Sequence, residues 1–310
     1  MKKVKFSNGL EVSAFALGAM NFGTKTSEKD SFEVLDAYVD MGGNMIDTSN
    51  NYAHWAGTGD ESELVLGKWL KERGCRDRVL IATKVGFDRH GQGAGLKADQ
   101  IEYWIDESLR KLGTDYVDLY YAHTDDYSTP LEETMEAFER LVRKGKVRHL
   151  GGSNYDTWRF AEANAIAKEQ GGTPYTVMQQ RFSYLQVRSD MPPKYRFNEN
   201  TGRERLRYLE NKQIPLVAYA CLCKGGYEIP SRLPADCIGG ARMELVQRMA
   251  AEKGVNPSAI AIAWMANVHR CEGYPQVIPL FSCNASQLAD NMRGVELVLS
   301  DEELELMNRM

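Results

Sequence analysis

The chain has 310 residues, 43% of them hydrophobic and 26% charged, with a formal net charge of -5. That is ample apolar material for a full core. Acids and bases are interspersed without a basic stripe, which excludes nucleic acid as a partner, and no apolar run approaches the ~20 residues that span a bilayer, which excludes the membrane.

Length alone suggests two domains, but α/β barrels run to this size as one, and a single domain over residues 1–310 is expected. The opening Met1-Lys2-Lys3-Val4-Lys5-Phe6 is basic but lacks an apolar h-region, so it does not read as a secretory signal. Six cysteines (Cys75, Cys221, Cys223, Cys237, Cys271, Cys283) show neither a CxxC pair nor paired spacing. They read as free buried thiols, which places the chain in the cytoplasm.

Val4 to Val12 alternates apolar residues around Asn8-Gly9, a hairpin signal. Ala14–Leu17 reads as a first strand, and Ser27–Met41 as a helix with Phe32, Leu35, Tyr38 and Val39 on one face. Strand Asn44–Asp47 precedes helix Glu61–Lys71; strand Val79–Thr83 precedes helix Ala98–Leu112. Val117–Tyr121 is followed by Leu131–Arg143, Val147–Gly151 by Trp158–Lys168, and Thr176–Gln179 by Gly202–Asn211. Ile214–Tyr219 is the seventh strand; helices Ala241–Lys253 and Pro257–Val268 separate it from the eighth, Gln276–Leu280, and Ser286–Met292 begins the last helix. Arg188 to Thr201 is weakly patterned and reads as a loop. Eight strand-then-helix units without a composition break predict a closed (β/α)8 TIM barrel behind an N-terminal β-hairpin. A doubly wound open sheet would show a glycine-rich turn after its first strand; here that turn is Leu17-Gly18-Ala19-Met20-Asn21-Phe22-Gly23.

In such a barrel the residues after each strand crowd one mouth. Strand two ends in Asp47-Thr48-Ser49-Asn50-Asn51-Tyr52, strand three in Thr83-Lys84, and strand four in Ala122-His123. An acid, a phenol, a lysine and a histidine at neighbouring strand ends suggest a proton-transfer centre. A phenol normally titrates near ~10, and a nearby ammonium stabilises the phenolate and lowers that value. A carboxylate holds the ammonium in place, and a histidine orients a carbonyl oxygen beside the phenol. Taken singly, Asp47 reads as a cap, Tyr52 as packing, His123 as a satisfied histidine, and Ser153-Asn154 as caps of the next helix. His54, His90, His149 and His269 keep the plain reading, and Asp125-Asp126 reads as a solvated loop. No metal site is expected, because Cys221 and Cys223 have no companion ligands.

Met45-Ile46-Asp47-Thr48-Ser49-Asn50-Asn51-Tyr52 with Gly67 downstream, Thr83-Lys84-Val85-Gly86, the segment from Asp115 to His123, and Gly145-Lys146-Val147-Arg148-His149-Leu150-Gly151-Gly152-Ser153-Asn154 together resemble the aldo-keto reductase family. The similarity runs from the hairpin to Asn291. The resemblance implies an NAD(P)(H)-dependent oxidoreductase interconverting an aldehyde or ketone and its alcohol. Tyr52 would be its general acid or base, Lys84 would tune Tyr52, Asp47 would pair with Lys84, and His123 would bind the carbonyl oxygen. Ser153, Asn154 and Gln179 would hold the nicotinamide carboxamide, and Tyr219 would stack on its ring. Leu222 and Lys224, in a loop that departs from the family's "SPLxxG" pattern, would lie over the pyrophosphate, and Gln287 and Asn291 would meet the adenine. These proteins bind the dinucleotide without a Rossmann motif.

NADP is the family default, but no basic residue occurs between Pro279 and Asn291 to pair with a 2′-phosphate. Relaxed or NAD-leaning specificity is therefore expected. Trp55, with Arg181, Arg188 and Tyr195, is a candidate lining for the substrate. Aromatics beside polar groups, with Asp60 and Glu61 nearby, fit a sugar or polyol and fit an aryl carbonyl equally. Potassium-channel beta subunits also resemble this family, so a dinucleotide-binding regulatory module with little turnover is the alternative. The sequence leaves substrate, direction and oligomeric state open.

Overall fold

Short apolar runs bounded by polar turns become strands in a computed structural model that describes residues 1–6, 9–88, 91, 93–188, 190–191 and 199–310. The chain opens with β1 (Lys3–Lys5), β2 (Glu11–Ser13), β3 (Ala16–Gly18), α1 (Glu28–Asp40) and β4 (Met45–Asp47). It continues through α2 (Glu61–Arg73), β5 (Leu80–Val85), α3 (Ala98–Leu112), β6 (Val117–Ala122) and α4 (Leu131–Arg143). Then come β7 (Val147–Ser153), α5 (Thr157–Glu169), β8 (Tyr175–Arg181), β9 (Gln186–Val187), α6 (Arg203–Asn211) and β10 (Leu216–Tyr219). The last elements are β11 (Cys237–Ile238), α7 (Gly240–Lys253), α8 (Pro257–Asn267), β12 (Val277–Phe281), α9 (Ala285–Glu296) and α10 (Asp301–Arg309).

Strands β3 to β8, β10 and β12 form the expected closed parallel barrel of eight strands, behind a β1–β2 hairpin in register Lys3↔Ser13 and Val4↔Val12. Ser7 and Asn8 of the expected turn lie outside the described residues. Residue for residue, β4, β6 and β12 are buried on both faces, which is what a parallel sheet covered by helices requires. Strand boundaries move for local reasons. Ala14 donates its N–H to Lys2 at 3.0 Å and so extends the hairpin, which delays β3 to Ala16. Pro215 has no N–H, and β10 begins one residue later. On α1 the buried face is Ser31, Val34, Leu35 and Tyr38; Phe32 is instead half-buried beneath the Arg73 guanidinium, 5.5 Å from its ring centroid.

The described chain falls into two compact units, Leu17–Met178 and Met1–Ala16 with Gln179–Met310. In the first, β4–β5 and β5–β6 pair in parallel, with Asp47 level with Ala82 and Lys84 level with Tyr121. Gly67 lies where α2 crosses α3: a Cβ there would stand 2.1 Å from the Lys111 carbonyl oxygen. Backbone cannot yield as a side-chain tip can, so Gly67→Ala is expected to cost about 1–3 kcal/mol of stability. Urea unfolding followed by circular dichroism checks this; an unchanged midpoint would contradict it.

In the second unit β10 pairs with β12 in register Leu216↔Val277. Helix α8 is buried from Ser258 to Asn267, and full burial of Ile260 and Ile262 contributes about 1.5–3 kcal/mol each. Helix α10 docks through buried Leu304 and Met307, and Trp264 Nε1 donates to Asn308 Oδ1 at 2.8 Å. No helix among the described residues is long and apolar enough to cross a membrane.

Candidate active site

Beyond β4 the chain turns through Thr48 to Tyr52 before entering α2, and buried Ala53 takes a left-handed φ of 59° just after Tyr52. Lys84, inside β5, and Asp47, ending β4, are both fully buried. Lys84 Nζ lies 2.5 Å from Asp47 Oδ1, 2.6 Å from the Thr48 carbonyl oxygen and 2.6 Å from the Tyr52 hydroxyl oxygen. An ammonium has three N–H donors, and these three acceptors match them. The Tyr52 hydroxyl donates in turn to Asp47 Oδ1 at 2.9 Å. His123 follows β6; its ring stands edge-on to Tyr52, centroids 5.8 Å apart, and to Phe87 at 4.6 Å. The four expected residues thus meet within one unit, Leu17–Met178.

Burial pushes the Lys84 ammonium down, and the Asp47 carboxylate and the charge of Glu63 oppose it. Burial, with the Lys84 charge adding to it, drives His123 well below the ordinary histidine range. The imidazole is therefore neutral at neutral pH. Its Nδ1 lies 3.1 Å from Ser49 Oγ, whose one proton also faces Asn51 Oδ1 at 2.8 Å. Donation from Ser49 to Nδ1 leaves the histidine proton on Nε2.

Ser153 ends β7 and is fully buried. Asn154 adopts a left-handed φ of 57°, a conformation asparagine tolerates better than most residues. Its amide nitrogen donates to the His123 carbonyl oxygen at 2.8 Å and to Ser153 Oγ at 3.1 Å. Neither residue caps α5, whose N-cap is Asp156. Trp55 is 57% exposed, its ring edge-on to His54 at 5.2 Å.

In the other unit Gln179 is buried on β8, and Tyr219 is half-buried at the end of β10 with its phenol pushed up by burial. Leu222 is half-buried and Lys224 exposed, in a turn where Ala220, Cys223 and Lys224 all take positive φ. Asn291 is buried on α9. Gln287 closes the α9 capping box: its side-chain oxygen accepts from Asn284 N at 3.1 Å, while Asn284 Oδ1 accepts from Gln287 N at 2.9 Å.

Several side chains have different company from that expected. The Asp60 carboxylate pairs with Lys111 at 2.5 Å, and Glu61 accepts from the Thr58 and Gly59 amides at 2.7 and 2.8 Å. Arg181 is held by both oxygens of Asp236, and Arg188 by those of Asp190. Tyr195 and His90 lie outside the described residues. Asp125-Asp126 is not a solvated loop. Asp125 is nearly buried against Arg159, its carboxyl pushed up by burial despite that pairing. Burial opposes ionisation of Asp126, but bonds from the Ser128 and Thr129 hydroxyls and the Leu96 and Ser128 amides outweigh it and hold the carboxyl at about 2. Among the described residues no group of three or more His, Cys, Asp or Glu is arranged to hold a metal ion.

Four contributors lay unremarked in the sequence. Thr48 and Ser49 sit inside the Asp47–Tyr52 segment and supply the lysine's third acceptor and the histidine's Nδ1 partner. Phe87 packs on His123. Glu63, fully buried in the first turn of α2, accepts from Thr83 Oγ1 at 2.7 Å and lies 3.5 Å from Lys111 Nζ. An acid among the buried positions of a helix was the available signal for Glu63.

The family model described as Aldo/keto reductase family matches residues 14–310. The norsolorinic acid reductase stcV of Emericella nidulans is 32% identical, covering 96% of this chain and 77% of that protein. A Bacillus subtilis protein named uncharacterized oxidoreductase YrpG is 31% identical over 97% of this chain and 92% of its own length. The putative aryl-alcohol dehydrogenase AAD14 of Saccharomyces cerevisiae is 36% identical over 57% of this chain and 50% of its own. A matched family model over nearly the whole chain, on a parallel eight-stranded barrel, makes the chain a member of the aldo/keto reductase family of NAD(P)H-using oxidoreductases.

Proposed function

We propose that the protein reduces an aryl aldehyde or ketone to its alcohol, reversibly, with Tyr52 as general acid in reduction and general base in oxidation. The observation that carries this reading is the Tyr52 hydroxyl, shared between the Lys84 ammonium and the Asp47 carboxylate. When the Tyr52 proton passes to the carbonyl oxygen, the phenolate left behind keeps the Lys84 N–H. Asp47 and the Thr48 carbonyl keep that ammonium charged and aimed. Neutral His123 donates from Nε2 to the same carbonyl oxygen once Ser49 donates to Nδ1. Phe87 packs edge-on against the imidazole.

In Leu17–Met178 the Ser153 hydroxyl and the Asn154 amide would offer hydrogen bonds to a nicotinamide carboxamide; in the other unit the Gln179 amide and the Tyr219 ring would be candidates for the nicotinamide. Leu222 and Lys224 would meet the pyrophosphate, and Gln287 and Asn291 the adenine. When bound, the reduced nicotinamide supplies the hydride, and the chain supplies orientation and electrostatics. The stretch from Pro279 to Asn291 contains no basic side chain that would pair with a 2′-phosphate. Titration by fluorescence quenching is therefore expected to give NADPH and NADH affinities within about ten-fold of each other, since charge-assisted bonds are what would separate them; a larger preference for NADPH would contradict this.

Exposed Trp55 beside His54, with Phe87 against His123, favours an aryl group next to the reacting carbon. The names norsolorinic acid reductase and aryl-alcohol dehydrogenase among the relatives support the same choice. The polyol alternative loses its support, because Asp60 and Glu61 are engaged by Lys111 and by backbone amides. A panel of aryl aldehydes, aryl ketones and sugars, followed by nicotinamide absorbance, tests the proposal. Turnover is expected on the aryl carbonyls. Dinucleotide binding without turnover on any substrate would favour the regulatory-module reading instead.

A further inference from the structure

All six cysteines are free, but two are not alone. Cys223 lies in the turn after β10, and Cys237 lies in β11, which pairs with β9 through Cys237↔Val187. Their sulfurs are 4.0 Å apart. Cys223 is buried, whereas Cys237 is half-buried and so within reach of small solutes. Arg181 Nη2 stands 3.6 Å from Cys237 Sγ and is itself fixed by both oxygens of Asp236, at 2.5 and 3.0 Å.

We propose that Cys237 and Cys223 form a dithiol site that takes a hydroperoxide and closes to a disulfide. The Cys237 sulfur attacks the terminal peroxide oxygen, the O–O bond breaks, and the alcohol or water departs with a proton, leaving Cys237 as sulfenic acid. The Cys223 sulfur then attacks the Cys237 sulfur, the S–O bond breaks, and water leaves as the disulfide forms. Two thiols are oxidised by two electrons and one hydroperoxide is reduced.

The division of labour follows from the surroundings. Cys237 titrates at about 7: a hydrogen bond from Cys223 favours its thiolate most, burial opposes it, and the Arg181 guanidinium adds to the first effect against the nearby Asp236. Burial pushes Cys221 and Cys283 up to about 12 each, which keeps them as inert thiols. The gap between the paired sulfurs must close to about 2.05 Å, and the turn that carries Cys223 also carries Leu222 and Lys224. The crosslink would therefore tie that turn to the β9–β11 ribbon. A consequence for dinucleotide affinity rests on the proposed role of Leu222 and Lys224; the crosslink does not.

The test treats the whole reduced protein with one equivalent of hydrogen peroxide. Two thiols are expected to disappear, with the tryptic peptides Gln213–Lys224 and Leu233–Arg242 joined and separated again by dithiothreitol. Cys223→Ser is expected to leave a Cys237 sulfenic acid that dimedone captures, and Cys237→Ser to leave Cys221, Cys223 and Cys283 unreacted. Absence of the joined peptides, or equal oxidation of Cys221 and Cys283, would overturn the proposal. In a separate readout, dinucleotide Kd is expected to change about five-fold or more between reduced and crosslinked protein. A formed crosslink with unchanged Kd would instead count against the placing of Leu222 and Lys224 on the dinucleotide.

Discussion

Replacing Tyr52 by Phe is expected to lower kcat for carbonyl reduction by about 10²–10⁴-fold, the range a positioned general acid contributes, while dinucleotide affinity stays unchanged. The substitution removes one oxygen and keeps the ring that packs edge-on to His123. That oxygen is the group that both accepts from Lys84 and donates to Asp47. Its loss strips one acceptor from a buried ammonium, so a stability cost of about 1–3 kcal/mol accompanies the kinetic one. Thermal melts separate the two effects, because a folded Tyr52→Phe protein with intact dinucleotide binding isolates the chemistry. Full activity in that variant would point to a lyase or isomerase reaction on the same barrel.

Lys84→Met is expected to be more damaging to the fold. The methionine fills much of the space of the lysine, but it leaves the Asp47 carboxylate buried without its cation. Breaking a buried pair from one side costs about 3–5 kcal/mol, since the desolvated charge that remains has lost its compensation. The double variant Asp47→Asn with Lys84→Met is expected to recover much of that stability and none of the activity. Urea denaturation of the two single variants and the double variant measures the coupling. If Lys84→Met unfolds at the wild-type midpoint, Lys84 does not balance the buried Asp47 charge.

The alternation of strands and helices was legible because each barrel strand is a short apolar run and each helix carries a buried stripe. The catalytic-type residues were legible because barrel strands end at one face, so Asp47, Lys84 and His123 could be gathered from separate segments. Their partners were not. Ser49 meets His123 across a separation of 74 residues, and Glu63 meets Thr83 and Lys111 only because α2 packs where Gly67 lets it. Sequence distance gives no hint of either. Helix α10 has a start signal in the sequence: Ser300-Asp301-Glu302-Glu303 is a capping box, and the structure closes it with Ser300 Oγ accepting from Glu303 N and Glu303 Oε2 accepting from Ser300 N. The β9–β11 ribbon was not readable, because two-residue strands are too short to show a period. Charged residues misled where their partners were distant. Asp60, Arg181 and Asp125 looked available for solvent or substrate, and each is paired with a residue more than 30 positions away.

Isotope tracking follows the hydride and the role of Tyr52 as acid in one reaction. Reduction of an aryl aldehyde with the reduced nicotinamide dinucleotide carrying two deuteriums at C4 is followed by mass spectrometry of the alcohol, in wild type and in Tyr52→Phe. One deuterium is expected on the carbinol carbon of the wild-type product, with a single-turnover rate that collapses in Tyr52→Phe. An alcohol without deuterium, or a rate indifferent to Tyr52, would contradict it.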